Sequence, residues 1–157
     1  MIFQPYSRKE PMLRFAFIIA CSWLFGFIPV AQAGPLDESK AKAHLQAIAA
    51  GDLNALMRDY PEDAYMDWVG GPLDGRYRGK AAIGEVWKKF IAANHGKPRP
   101  AKLGKLESYS NPKGTAFEVA AEYGGEKPVK AWHVLVYRDG ELATEIWQIA
   151  PAIKIAP

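Results

Sequence analysis

The sequence predicts an α+β domain in which three N-terminal helices pack on one face of a curved, mainly antiparallel sheet. Two observations predict this arrangement. Apolar residues recur with helical spacing in residues 37–94, whereas residues 102–149 alternate between apolar and polar side chains and are interrupted by turn motifs. With 157 residues, of which 49% are hydrophobic, the chain is long enough to form one core. We therefore predict a single domain over residues 34–157.

Three helices are predicted from capping residues and apolar spacing. The first covers residues 37–50, with Asp37 as its N-cap. Asp52 caps a short second helix, which Pro61 ends. The third helix, over residues 80–94, has apolar side chains at positions i, i+3, i+4, i+7 and i+8, which are Ile83, Val86, Trp87, Phe90 and Ile91. Such a face is suited to pack on a sheet.

The strands are predicted from alternation and from turn residues. One strand has Phe117, Val119, Ala121 and Tyr123 on one face and Glu118 and Glu122 on the other, so one of its faces meets solvent. Asp139-Gly140 is a strong hairpin signal between the last two strands. The remaining strands are predicted over residues 64–69, 102–109, 129–137 and 142–149. Together they form a meander.

A glycine-rich basic stretch, GGPLDGRYRGKAAI, covers residues 70–83. A phosphate-binding P-loop needs four residues between its glycines and a Ser or Thr after the Lys. Gly75 and Gly79 have three residues between them, and Ala81 stands where the hydroxyl is needed. The backbone N–H groups of Gly79 and Lys80 could still meet an anion at the start of the third helix. Glycines more often permit a tight turn, which is the interpretation that we favour.

Residues 1–33 have the pattern of a cleavable signal peptide. Arg14 precedes an apolar run over residues 15–30, and a small-x-small motif ends at Ala33, where we expect cleavage. Met12 is an alternative start of this signal. Two alternatives are an uncleaved membrane anchor, which the short run disfavours, and lipidation at Cys21. The signal predicts a periplasmic or secreted bacterial protein without a stable membrane anchor after cleavage.

Charge and cysteine content narrow the classes of partner and cofactor. Removal of residues 1–33 leaves 17 basic and 16 acidic residues, so nucleic acid is not an expected partner. We interpret the local cluster of Lys97, Arg99, Lys102 and Lys105 as solvated side chains. The only cysteine, Cys21, leaves with the signal, which excludes disulfides and thiolate metal sites. The histidines lack the short spacing of metal ligands, so we predict neither a metal nor a cofactor.

Three segments together resemble a known superfamily. They are HLQAIAAGDLNAL, YPEDAYMDWVGGPLDGRYRGKAAIGEVW and WHVLVYRDGELATEIWQI. In this order and at this spacing they resemble the nuclear-transport-factor-2-like (NTF2-like) superfamily, in its SnoaL-like and ketosteroid-isomerase-like branch. The resemblance covers nearly all of the chain after residue 33. It implies a cone-shaped barrel that encloses a pocket, and dimerisation through the outer face of the sheet. Members include isomerases, cyclases, dehydratases and binding or scaffold proteins, so the fold does not name a reaction.

The resemblance also suggests catalytic candidates. His44 falls where the steroid isomerases carry a tyrosine that hydrogen-bonds an enolate oxygen, and His133 lies at or beside their protonated aspartate. Their general base is an aspartate on the first strand, where this chain has Asp67-Trp68 with Trp68 in the catalytic place. A slip of one residue would restore Asp67 but would reverse its face. The sharpest enzyme hypothesis has Asp67 and His133 as acid and base and His44 as hydrogen-bond donor; the alternative is that both histidines are structural.

Aromatic residues indicate the type of ligand. An apolar pocket lined by such rings suits a flat or greasy small molecule. The candidate lining residues are Tyr65, Trp68, Tyr123, Trp132, Glu145 and Trp147, and Glu145 faces either the cavity or solvent. Three functions stay open. They are an exported small-molecule-binding protein, a cofactor-free isomerase, dehydratase or cyclase, and a dimerisation or scaffold module of an envelope complex.

Overall fold

The structure is a computed structural model that describes residues 34–156. The predicted signal peptide, residues 1–33, lies outside the described residues. The elements in chain order are α1 (Gly34–Ala50), α2 (Leu53–Leu56), β1 (Tyr65–Val69), β2 (Gly75–Arg78), α3 (Lys80–Ala92), β3 (Ala101–Leu103), β4 (Glu107–Asn111), β5 (Gly114–Tyr123), β6 (Val129–Arg138) and β7 (Glu141–Ile149). The predicted order of helices followed by a strand meander is confirmed.

The described strands form one sheet of seven strands. Its order is β2-β1-β7-β6-β5-β3, and β4 also pairs with β5. The pairing of β1 with β7 is parallel, and all the others are antiparallel. The parallel pair places β1, the first strand in the chain, beside β7, the last strand in the chain. The fold is the predicted α+β cone, with helices on a curved, mainly antiparallel sheet.

The core lies between the helices and the inner face of the sheet. Strand β5 alternates between buried and half-buried residues along its whole length, as its sequence predicts. Helix α3 buries Ile83, Val86, Trp87 and Phe90 against this face. Trp87 and Trp147 are fully buried. Burial of an aromatic side chain contributes on the order of 2 kcal/mol through removal of apolar surface from water, so each of these rings stabilises the fold.

Helix α2 ends at Leu56, before the end at Pro61 that the sequence predicts, and two further boundaries also differ. Helix α1 begins at Gly34, so Asp37 lies in its first turn and is not the N-cap. The buried carboxylate of Asp37 instead accepts a hydrogen bond of 2.9 Å from Thr115 Oγ1 on β5. The strand predicted over residues 102–109 is divided into β3 and β4, because the pairing with β5 shifts by one residue between Leu103, opposite Ala121, and Glu107, opposite Glu118. Between them the Lys105 N–H donates to the carbonyl of Ala156. Tertiary contacts with β5 decide these two further differences.

The glycine-rich stretch forms a hairpin turn and a strand. Gly70 and Gly71 have positive φ angles of 89° and 74°, and Asp74 Oδ1 accepts a hydrogen bond from the Gly70 N–H. The turn interpretation holds for residues 70–74, but Gly75–Arg78 is strand β2, which pairs with β1. The Gly79 N–H donates to Ala64 O at 2.8 Å, and the Lys80 N–H donates to the carbonyl of Glu62. Both amides that could have met an anion are therefore already bonded.

None of the helices within residues 34–156 is both long and apolar enough to cross a membrane.

Candidate functional site

A buried carboxylate lies at the centre of the cone. Glu145 is fully buried, and its Oε2 accepts a hydrogen bond from the hydroxyl of Tyr60. His44 Nε2 lies 3.3 Å from Oε2 of the same carboxylate, and His133 Nδ1 lies 3.7 Å from Oε1. The hydroxyl of Tyr123 lies 3.2 Å from Nε2 of His133. We call these five residues the Glu145 cluster.

A bulge in β7 turns Glu145 toward the interior. Leu142 and Trp147 are both buried, although their spacing of five residues would put them on opposite faces of a regular strand. The β6–β7 pairing shifts between Val136 and Tyr137, so that Ala143 is extra on β7. Such a bulge reverses the inward and outward alternation from that point on. This reversal decides the facing of Glu145, which the sequence left open.

The Glu145 cluster joins elements that are far apart in the chain. His44 comes from α1, His133 from β6 and Glu145 from β7, and Tyr60 comes from the segment after α2. Trp87 Nε1 on α3 donates a 3.1 Å hydrogen bond to the Tyr60 hydroxyl. All of these side chains are nearly or completely buried. A charge in such a place is costly unless it has hydrogen-bonded partners, and this network supplies them.

The surroundings of the cluster set its protonation. Burial alone raises the pKa of Glu145, but the imidazoles of His44 and His133 outweigh burial and lower that pKa to about 2. Burial lowers the pKa of His133, although Glu145 acts in the opposite direction. Burial also raises the pKa values of Tyr60 and Tyr123. At neutral pH the cluster therefore holds a carboxylate, a neutral His133 and two protonated tyrosines, which are the elements of acid–base chemistry.

Aromatic rings separate the Glu145 cluster from solvent. Trp68 stacks on Trp147 with ring centroids 4.7 Å apart, and Trp147 meets His133 edge-on at 4.4 Å. Phe90 packs against Trp68 at 5.6 Å. No residue of the cluster is more than 2% exposed, so in this conformation the cluster is closed to solvent.

An open cleft lies on the other side of this aromatic layer. Its volume is about 250 Å³. It lies between the β1–β2 turn, the end of α3 and the start of β6. The lining is mostly apolar and comprises Trp68, Gly70, Gly71, Pro72, Leu73, Lys89, Phe90, Ala93, Arg99, Lys127, Val129 and Ile149. Trp68 donates a 3.1 Å hydrogen bond from Nε1 to the Gly70 carbonyl, which fixes the indole at the base of the cleft.

The structure brings six of the nine predicted site residues to the inner face of the sheet or to α1. They are His44, Trp68, Tyr123, His133, Glu145 and Trp147. Of the six, Trp68 lines the open cleft.

The other three predicted site residues, Tyr65, Asp67 and Trp132, lie on the outer face, because strand neighbours point to opposite sides. Asp67 lies 3.7 Å from Arg76 Nε on β2, and Arg78 covers the ring of Tyr65 at 5.9 Å. Asp67 is therefore not brought together with His133, and the predicted acid–base pair is not formed.

Two important residues were missed or misinterpreted from the sequence. No motif in the sequence singles out Tyr60, but its hydroxyl donates a hydrogen bond to Glu145. Arg99 was interpreted as part of a solvated cluster, yet it is only 5% exposed. Within residues 34–156, no three His, Cys, Asp or Glu side chains are arranged to hold a metal ion.

Comparison with solved structures shows which fold this is. An NTF-2 like protein of unknown function from Burkholderia xenovorans LB400 is 20% identical, with 78% of this chain and 88% of that chain covered and a TM-score of 0.55. This chain has the NTF2-like fold. A ketosteroid isomerase-like protein from Erwinia carotovora atroseptica SCRI1043 is 16% identical, with 74% and 95% covered and a TM-score of 0.57.

The epoxide hydrolase/cyclase-like enzyme SalBIII also shares the NTF2-like fold. It is 18% identical, with 73% of this chain and 91% of that chain covered and a TM-score of 0.56. No protein-family model and no curated protein sequence matches the chain. The NTF2-like fold supports several chemistries, so the function has to be argued from the site.

Proposed function

We propose that the protein binds a small, flat, apolar molecule in the cleft between α3 and the β1–β2 turn. The observation that carries this proposal is an open, mostly apolar cleft of about 250 Å³ whose base is formed by Trp68 and Phe90. An apolar cavity of ~150 Å³ is enough to hold benzene, so this cleft has room for about two fused rings. Stacking on the indole of Trp68 would favour an aromatic ligand.

A cleft-filling variant tests this proposal. Ala93 is exposed at the C-cap of α3 and lines the cleft, so Ala93→Trp should block it without disturbing the core. Ala92→Trp is the matched control, because Ala92 is the exposed neighbour that does not line the cleft. Native mass spectrometry of the protein purified without denaturation should show a bound small molecule in the wild type and in Ala92→Trp, but not in Ala93→Trp. Equal occupancy in all three would refute the cleft as the site.

The Glu145 cluster favours a second candidate function. A cofactor-free isomerase, dehydratase or cyclase needs groups that take and return a proton, and the cluster holds an ionised carboxylate beside two histidines. In this proposal Glu145 takes the place that Asp67 had in the sequence hypothesis, and His44 and His133 keep their roles. A substrate would have to displace Trp68 from its stack on Trp147. Two proteins with the same fold carry names of this kind: SalBIII is described as an epoxide hydrolase/cyclase-like enzyme, and the Erwinia protein as ketosteroid isomerase-like.

Turnover measurements test the enzyme proposal. The substrate is a β,γ-unsaturated ketone, which serves as a general probe of proton transfer. His44→Ala and His133→Ala should each abolish turnover while circular dichroism shows an intact fold. Asp67→Asn is the matched control and should leave turnover unchanged, because Asp67 lies on the outer face. Unchanged turnover in both histidine variants would remove the enzyme proposal.

Export and dimerisation are further parts of the proposal. Residues 1–33 carry the signal pattern, so the N-terminal sequence of the protein recovered from a periplasmic fraction should begin after Ala33. The outer face of the central strands carries Trp132, Val134 and Ile146, which are half-buried within one chain. Apolar residues on an outer sheet face support a homodimer formed through that face. The scaffold alternative would be favoured by a protein that carries a partner chain instead of a ligand.

A further inference from the structure

The geometry points to a ligand that carries a carboxylate, bound by Arg99 at the wall of the apolar cleft. This inference rests on the proposed binding function of the same cleft and names the chemical class of its ligand. It joins three observations: Arg99 is buried and fixed in position, it lacks a negative partner, and it lies beside the aromatic base of the cleft.

Arg99 is held in place by backbone carbonyl groups. Its side chain donates from Nη1 to the carbonyls of Gly124 and Lys127 at 3.0 Å and 3.1 Å. Its own backbone N–H donates to Ala49 O at 2.7 Å, which ties the loop to the end of α1. A side chain that is fixed before binding loses little conformational entropy when a ligand arrives. Arg99 is therefore preorganised for binding.

The charge of Arg99 is not neutralised within residues 34–156. No Asp or Glu oxygen in this part of the chain lies within 4.0 Å of its guanidinium, and Nε has no hydrogen-bond partner there. Burial lowers the pKa of Arg99, because it disfavours the charged form of the side chain. A guanidinium nevertheless stays charged at neutral pH. A buried cation without a counter-charge is costly, and an anionic ligand removes that cost.

The position of Arg99 matches the edge of a flat ligand. Its guanidinium carbon lies 5.0 Å from the centroid of the Phe90 ring, and both residues line the cleft. Because the guanidinium lies over the Phe90 ring, a flat ligand that rests on Trp68 in the same cleft can extend a carboxylate to the N–H groups of Arg99. Lys89 and Lys127 also line the cleft, and no Asp or Glu does. The whole lining therefore attracts anions.

Two probes of the same shape test the inference in the wild-type protein. They are 2-naphthoate and its neutral counterpart 2-naphthalenemethanol, both small enough for the cleft, with binding measured by calorimetry and by quenching of tryptophan fluorescence. Because a hydrogen bond between charged groups is stronger than one to a neutral group, we expect 2-naphthoate to bind at least about tenfold more tightly than 2-naphthalenemethanol. Equal affinities would overturn the anionic inference and leave the cleft proposal standing. Binding of neither probe would refute the cleft proposal and the inference with it.

Variants assign the preference to Arg99. Arg99→Met should bring the two affinities to within about twofold, whereas Lys113→Met, an exposed lysine outside the cleft, should change neither. Because Arg99→Met removes structural hydrogen bonds, its fold is checked by circular dichroism, and Lys89→Met/Lys127→Met gives an independent test. This double variant should lower the affinity for 2-naphthoate by less than about threefold, since both lysines are at the rim of the cleft. A loss of tenfold or more would assign the anion to the lysines and overturn the role of Arg99. Carboxylate binding that survives Ala93→Trp would place the site elsewhere and also overturn it.

Discussion

The substitution Glu145→Gln should destabilise the protein strongly, because it removes a buried charge while keeping the shape of the side chain. The carboxylate accepts from Tyr60 and lies beside His44 and His133. Glutamine keeps one acceptor oxygen for Tyr60, but its neutral amide cannot replace the interaction of the charged carboxylate with the two imidazoles. A hydrogen bond to a charged group contributes about 1.5 to 3 kcal/mol. Because Tyr60 and two imidazoles surround the carboxylate, we expect a loss near the upper end, about 3 kcal/mol in the free energy of unfolding.

The pKa of Glu145 gives an independent estimate of the same size. The folded state lowers it to about 2. The unfolded value is ~4.3, and a difference of that size corresponds to about 3 kcal/mol. Because the folded pKa is the lower one, this stabilisation is present above the unfolded pKa and is lost as the pH falls toward the folded pKa. The stability difference between wild type and Glu145→Gln should therefore be largest at neutral pH and should shrink between about pH 5 and pH 2.

Urea denaturation followed by tryptophan fluorescence measures both effects, with free energies extrapolated linearly to zero denaturant. Glu141→Gln is the matched control, since Glu141 is exposed on the same strand and should change stability by less than about 0.5 kcal/mol. A loss below about 1 kcal/mol for Glu145→Gln, or a difference that does not depend on pH, would refute the assignment of Glu145 as a buried ionised group.

Three further predictions follow from individual contacts. Burial lowers the pKa of His133, so its stabilising contribution is full above the unfolded value of ~6.5 and is lost as the pH falls through the lower folded pKa; the C2–H resonance of His133 in NMR should therefore titrate at a lower pH than an unperturbed imidazole. Gly125→Ala should cost about 1 to 3 kcal/mol, because φ is 114° and the new Cβ would lie 2.5 Å from Asn94 Oδ1 and 3.0 Å from Arg99 Nη1. Gly96→Ala, with open space around it, should cost less in the same urea titration. Val134→Glu on the outer face should shift the proposed dimer to monomer in analytical ultracentrifugation at micromolar concentration, and a monomeric wild type would contradict the dimer.

The sequence predicted the elements whose signals are local. The apolar spacing of α3 and the alternation of β5 each lie within one segment, and both elements form as predicted. The facing of Glu145 was not accessible in this way, because it depends on a bulge that appears only when β7 pairs with β6. Arg99 is a similar case. Its burial requires the carbonyls of Gly124 and Lys127, which no pattern around residue 99 encodes.

Trp68 links the two candidate functions and makes them mutually exclusive at any moment. Its indole forms the base of the cleft on one side and stacks on Trp147 on the other, and Trp147 in turn meets His133 edge-on. A ligand stacked on Trp68 in the cleft would hold the ring in its present place and keep His133 covered. Chemistry at the cluster instead requires that the ring leave this place. A cleft ligand should therefore inhibit any turnover at Glu145, which is the opposite of what one continuous pocket would produce.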